Sequence, residues 1–272
     1  MTLQDLATWA GRLQTTPKMP ILFLGHGSPM NALSNNEFTK SWQTLGTSLP
    51  KPTAILSISA HWETLGTEVT AMKKPRTIYD FYNFPEKLYQ MEYPAPGDPE
   101  LAREICDLVD MTTLELDHAW GLDHGTWCVL KFLYPDADIP VLQLSLDKLR
   151  SPQYHYDLGQ ALSKLRERGV LIMGSGNIVH NLRMLDRNLP HEGFEWADEA
   201  KARMVEMIKT HDHRSLIDFE NQGEAFRLAI PTDEHFLPLL YILGLETKED
   251  EHFIFNDKSV TGSLAMTSVL IG

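Results

Sequence analysis

The chain has 272 residues, 43% of them hydrophobic and 22% charged, with a formal net charge of -13. Such a composition belongs to a globular protein, and the length suits one large α/β domain or two small ones, of which the organisation along the chain favours one. The acidity argues against a nucleic-acid partner, whose phosphates need clustered Lys and Arg. No run approaches the roughly 18 apolar residues of a membrane span, and the N-terminus lacks the basic-then-apolar pattern of a signal peptide.

Residues Met1 to Lys18 read as a short amphipathic helix or a loose arm; the expected domain boundaries are 1–19 for that arm and 20–272 for the rest. Beyond it, short apolar runs alternate with helical patterns, which predicts α/β architecture. The first expected strand is Pro20–Leu24 and the first full helix Glu37–Ser48, followed by a strand at Ala54–Ser59. Ile78–Pro99 is rich in Tyr, Phe and Pro without clear period and reads either as a structured loop over the site or as one packed on the core. Asp98 then Pro99 makes a helix start, a capping side chain before Pro at the first helical position, for a helix over Asp98–Val109. Helices are expected at Gly125–Leu133, Pro152–Arg168, Glu195–Thr210, Ser215–Asn221 and Asp233–Leu243, the last capped by Thr232. Strands are expected at Pro140–Leu146, Val170–Met173, Phe253–Phe255 and within Ser263–Ile271. The earlier strands are apolar throughout, as strands buried on both faces are.

Cys106 and Cys128 lie 22 positions apart in apolar, helix-like runs. They read as buried thiols and not as a disulfide, which suits a cytoplasmic protein.

Histidines carry the functional signal. His26 directly follows the run PILFLG, His61 follows AILSISA, and His180 lies a few residues beyond VLIMGSG. In an open α/β sheet, ligands bind outside the carboxyl ends of the strands, so three strands would deliver imidazoles to one edge. His124 and His235 stand near helix starts, where the helix dipole favours the neutral, metal-binding ring. Any one of them taken alone is better explained as a hydrogen-bonded structural histidine. Taken together at the sheet edge they point to Zn²⁺ or Fe²⁺ and not to the oxygen-seeking Ca²⁺ or Mg²⁺. His118, His155, His191, His211, His213 and His252 sit in polar stretches and are expected at the surface.

Other motifs fail. Gly174-Ser175-Gly176-Asn177 lacks the third glycine of a dinucleotide loop, since Val179 stands there. Gly25-His26-Gly27-Ser28 is not a nucleophile elbow. There is no phosphate-loop lysine motif and no HExxH.

Seven strings in order, LGHGSPMNAL, SAHWET, YDFYNFP, YPAPGDP, GLDHGTW, YPDADIPVLQLSL and GSGNIVHNLR, resemble the 4,5-DOPA extradiol dioxygenase-like branch of the class III extradiol dioxygenases. The resemblance runs from about Pro20 to the C-terminus. It implies a single α/β domain with a central, mostly parallel or mixed sheet flanked by helices, like the catalytic subunit of protocatechuate 4,5-dioxygenase. It implies one divalent metal per chain held by His26, His61 and His235, with Fe²⁺ expected for turnover and Zn²⁺ able to occupy the same site. His180 matches the acid/base histidine and in some members reaches the metal itself; His124 matches a pocket histidine facing substrate or dioxygen. The implied partners are a small aromatic diol such as L-DOPA, opened between C4 and C5, and O₂. Asn83 stands where relatives often carry Gly, and Asn tolerates left-handed backbone. Glu234 is an alternative carboxylate ligand beside His235. A zinc-dependent amide or ester hydrolase, or a non-catalytic metal-binding protein on the same fold, would use the same histidines.

Overall fold

The apolar runs assemble into a mixed eight-stranded sheet in a computed structural model that describes residues 2–13 and 18–272. Its strands are β1 (Ile21–Gly25), β2 (Ala54–Thr64), β3 (Thr67–Thr70), β4 (Leu114–Asp117), β5 (Val141–Asp147), β6 (Val170–Gly176), β7 (His252–Phe255) and β10 (Ser268–Ile271). A separate two-stranded ladder joins β8 (Ser259–Val260) to β9 (Leu264–Ala265). The sheet order is β4-β3-β5-β2-β6-β1-β10-β7. The central four strands, β5-β2-β6-β1, are parallel, while β10 runs antiparallel to β1 and to β7.

Alternation along each strand divides the core. Ile21, Phe23, Leu56, Ile58, Leu142, Leu144 and Ile172 face one apolar cluster, and Leu22, Leu24, Ile55, Val141, Leu171 and Met173 face the other. Successive strand residues point to opposite faces, and here helices cover both. One side carries α4 (Pro99–Leu108), α6 (Pro152–Ala161), α7 (Glu195–Lys209), α8 (His213–Ile217), α9 (Glu224–Ala229) and α10 (Leu237–Gly244). The other carries α1 (Leu3–Arg12), α2 (Glu37–Ser48), the single turn α3 (Glu86–Tyr89) and α5 (His124–Leu133). The N-terminal segment is therefore a helix: Leu6 and Ala10 are buried, and Trp9 packs on Phe253 at 5.5 Å between ring centroids. Met1 and residues 14–17 of that expected arm lie outside the described residues. No helix among the described residues is long and apolar enough to cross a membrane.

Several expectations change. The helix foreseen over Pro152–Arg168 breaks after Ala161 into a 3-10 stretch, Ser163–Arg168, which ends at Gly169 with φ +78°. The break turns Arg166 inward. Its guanidinium is 2% exposed, pairs with both oxygens of Asp250 at 2.7 and 3.1 Å, and donates to the carbonyls of Met19 and Leu245. The helix foreseen at Ser215–Asn221 is split into α8 and a 3-10 turn at Phe219–Asn221. Strands β3 (TEVT) and β4 (LELD) escape a search for apolar runs because they are short and half polar; β4 is the edge strand and β3 lies between it and β5. The Asp98 cap is as expected: its Oδ1 accepts from the N–H groups of Glu100 and Leu101 at 3.1 and 3.0 Å.

Candidate metal centre

Strands β1, β6 and β2 are consecutive neighbours and run parallel, so their C-terminal ends share one edge. His26 leaves β1 and His180 follows β6. His61 differs from expectation: it lies inside β2, which continues to Thr64. The register against β5 slips between Ile58 and Glu63, and that irregularity turns the chain around His61. Bulges commonly redirect a side chain in this way.

His235 also departs from expectation. It sits in the turn before α10, whose N-cap is Phe236, and Thr232 donates its hydroxyl to Glu234 Oε1 instead of capping the helix. The turn is pressed against β6. A Cβ on Gly176 would stand 2.1 Å from the His235 carbonyl oxygen, and one on Gly174 would stand 2.6 Å from that of Pro238. The two glycines of the rejected nucleotide-like loop thus admit the turn that carries His235. Asn177 ties it further, donating its N–H to the His235 carbonyl at 2.9 Å.

The five histidines meet. Ring centroids lie 5.0 Å apart for His26 and His61, 5.3 Å for His26 and His235, 4.9 Å for His61 and His235, and 3.9 Å for His61 and His124. His180 stacks flat on His235, with centroids 3.4 Å apart. The donor atoms form two tight sets, His26 with His61 and His124, and His180 with Glu234 and His235, each with all atoms within 4.8 Å.

Hydrogen bonds fix the ring orientations. Ser175 donates its hydroxyl to the Gly125 carbonyl, so it accepts from His26 Nδ1–H at 3.0 Å. His124 Nδ1–H donates to Asp80 Oδ2 at 2.8 Å, and the His124 backbone N–H donates to Asp80 Oδ1 at 2.9 Å. His61 Nδ1 lies 3.4 Å from the same Asp80 Oδ2. His235 Nδ1–H donates to Glu234 Oε1 at 2.9 Å, which makes Glu234 an orienting partner. With Nδ1 of His26, His124 and His235 engaged, Nε2 of each is left as an acceptor, the arrangement that second-shell partners impose on metal-binding imidazoles.

The donor chemistry fits a metal. His26 Nε2 and His61 Nε2 stand 3.1 Å apart. Ligands about 2.0–2.1 Å from one metal ion stand roughly 3 Å from each other, so a pair at this spacing can be spanned by a single ion. Burial, then the neighbouring imidazoles, holds His26, His61 and His235 well below the usual histidine pKa. Burial pushes His180 down to about 4. Neutral rings, the ligand form, therefore dominate at pH 7.

Beneath the site lies a polar network that sequence reading missed. Buried Asp123, the N-cap of α5, accepts from Ser59 Oγ at 2.7 Å, from Gln143 Nε2 at 2.6 Å and from the Thr126 N–H. Asp80 was missed as well, although it lies in the quoted YDFYNFP string. The aromatic segment around it does both things foreseen for it. Asp80 and Phe81 reach His124, while Tyr79, Phe81, Tyr89 and Trp127 pack together on the core. Asn83 takes the left-handed backbone, with φ +62°.

Of the remaining histidines, His155 contradicts the surface expectation. It is wholly buried on α6, with Nδ1 3.1 Å from the Tyr241 hydroxyl. His252 is 5% exposed at its side chain and His213 15%. Cys128 is buried and Cys106 half-buried, both as free thiols.

Residues 16–266 match the family described as the catalytic LigB subunit of aromatic ring-opening dioxygenase. The chain is 44% identical to an Escherichia coli K12 protein named 4,5-DOPA dioxygenase extradiol, over 96% of this chain and 97% of that one. It is 39% identical to a Beta vulgaris protein of the same name, over 82% and 85%. A solved structure of an uncharacterized protein from Escherichia coli K12 superposes with a TM-score of 0.81 at 42% identity, covering 94% of this chain and all of that one.

Proposed function

Because the chain belongs to the family of catalytic LigB subunits and is an extradiol ring-opening dioxygenase, we propose that it opens a DOPA-type catechol between C4 and C5, with His26, His61 and His235 as metal ligands. The observation that carries this reading is the pair of Nε2 atoms of His26 and His61, 3.1 Å apart and gathered with three further imidazoles.

Fe²⁺ bound there would let diol and dioxygen exchange electrons side by side, which redox-inert Zn²⁺ does not. The chain's own residues bind, orient and move protons. His180 is neutral at pH 7 and is our acid/base group: it accepts a catechol proton and returns one as the ring bond breaks. Such transfers contribute about 10²–10⁴-fold in rate. His124, held by Asp80, faces substrate or dioxygen. Glu234 and Ser175 hold the His235 and His26 rings in register. Positioning reactants in this way is itself worth several kcal/mol of barrier. The free thiols support a reducing, cytoplasmic setting, and residues 20–272 would form the catalytic unit.

The test is oxygen uptake after anaerobic Fe²⁺ loading and addition of L-DOPA, beside a Zn²⁺-loaded control. Uptake with a yellow product only in the Fe²⁺ sample is expected. His26→Ala, His61→Ala and His235→Ala should each lose stoichiometric metal, while His180→Ala should keep metal and lose turnover. Hydrolysis of an ester or amide by the Zn²⁺ form, without oxygen uptake, would overturn the reading.

A further inference from the structure

A second group of histidines lies at the opposite edge of the sheet. His252 opens β7 and pairs with Ile271, which also pairs with Ile21 at the start of β1. His26 lies beyond the other end of β1, about 17 Å away at 3.3 Å per residue. The group is also at the far end of α10 from His235, since Glu246 follows that helix while His235 precedes it.

Three segments converge there. His211 and His213 flank the start of α8, Glu246 follows α10, and His252 opens β7. One donor atom from each of His211, His213 and Glu246 lies within 4.8 Å of the others. His211 Nδ1 is in contact with Glu246 Oε1, and His213 Nε2 stands 3.2 Å from Glu246 Oε2. His213 Nε2 is buried yet makes no hydrogen bond. Its other nitrogen, Nδ1, is 3.0 Å from the Tyr156 hydroxyl. His252 Nε2 lies 2.9 Å from Glu246 Oε2. The carboxylate itself is 4% exposed. Burial alone would raise its pKa, but His213 and His252 beside it pull it down to about 2. His211 is half-exposed, and a surface cavity of about 310 Å³ opens onto His211, His213, Glu246, Thr247 and Lys248.

We propose that His211, His213 and Glu246 form a second metal site, for a borderline divalent transition-metal ion such as Zn²⁺. A buried carboxylate with His211 Nδ1 against one oxygen and His213 Nε2 3.2 Å from the other matches the two-histidine, one-carboxylate donor sets such ions take. Tyr156 and His252 are the orienting partners: Tyr156 accepts from His213 Nδ1–H, leaving Nε2 for the metal, and His252 holds the carboxylate from behind. Water would complete the coordination through the cavity. The ion would tie the α7–α8 turn to the end of α10, so its binding free energy would add to stability.

Metal-free protein titrated with Zn²⁺ against a chromophoric chelator tests this. The wild type should take up two ions per chain, and His211→Ala/His213→Ala one, with Fe²⁺-dependent oxygen uptake unchanged. His211→Ala alone removes a half-exposed ring that the fold does not need and should weaken the second ion at least 10-fold; Glu246→Gln should do the same. Co²⁺ substitution should show d–d bands that these variants reduce. A wild-type stoichiometry of one, or a second ion that persists at full affinity in His211→Ala/His213→Ala, would overturn the proposal.

Discussion

Gly176 links sheet, turn and metal centre, so Gly176→Ala tests their coupling. The new Cβ would sit 2.1 Å from the His235 carbonyl oxygen and 3.1 Å from its carbonyl carbon, whereas real Cβ contacts essentially never fall below 3.0 Å. The turn must therefore retreat by about 1 Å. It cannot do so freely, because Asn177 N–H bonds the same carbonyl at 2.9 Å and His180 stacks on the His235 ring. Overpacking of this kind costs about 1–3 kcal/mol in stability, and a displacement of about 1 Å at a reacting centre can cost about 10²-fold in rate. We expect Gly176→Ala to remain folded with a lower urea midpoint, to hold less than one Fe²⁺ at the first site, and to lose about 10²-fold in kcat/KM. Gly11→Ala is the control: nothing stands within 4 Å of its added Cβ, and Ala favours the helix by about 0.5–1 kcal/mol. If Gly176→Ala binds iron and turns over like the wild type, the claim that close approach of β6 sets the position of His235 is wrong.

Asp80→Asn should cost about 10–100-fold in kcat/KM with the fold intact, because it removes the carboxylate that accepts from His124 Nδ1–H and faces His61; a loss under two-fold would refute its positioning role. Asp250→Asn should lower unfolding free energy by about 3–5 kcal/mol in urea, since it leaves the buried Arg166 guanidinium unpaired. The Asp250 carboxyl, which burial opposes but Arg166 and Lys18 hold at about 2, contributes stability that is full above the usual 3.8 and lost as pH falls towards 2. Buried His155, pushed by desolvation to about 4, stays neutral in the fold and protonates below about 6.5 when unfolded. Its contribution, roughly 3 kcal/mol, is present above pH 6.5 and lost as pH falls from 6.5 to 4; His155→Gln should flatten denaturation midpoints in that window, and an unchanged slope would refute the assignment.

The central strands were legible in the sequence because apolar runs reveal strands buried on both faces, and ligands gather at their carboxyl ends. That pattern put His26, His61 and His180 at one edge, and the fold brings their rings into one cluster with His235. What escaped lacks a period. Asp80 sits in an aromatic loop and Ser175 inside a buried strand, and each matters only through the nitrogen it faces across the fold. No local pattern encodes such a pairing. His235 was found, but its turn was misread as helix, since Thr-Asp-Glu before an apolar run imitates a cap.

His155 shows a different kind of failure. Its neighbours Tyr154, Tyr156 and Asp157 make the stretch look polar. Helical spacing was nevertheless present: His155, Leu158, Gly159 and Leu162 recur at i, i+3, i+4 and i+7, and all four are buried. Gly159 lies on that stripe because a Cβ there would stand 2.3 Å from the Tyr241 carbonyl, so α6 and α10 touch backbone to backbone. The histidine is then the polar member of an apolar face: its Nδ1 meets the Tyr241 hydroxyl on the partner helix, while its Nε2 is buried without a hydrogen bond. His211, His213 and His252 are polar in context too, but they share no stripe, and only the return of the chain around Glu246 gathers them. Period decides whether a histidine is buried; what it does once buried depends on the group that the fold brings to its second nitrogen.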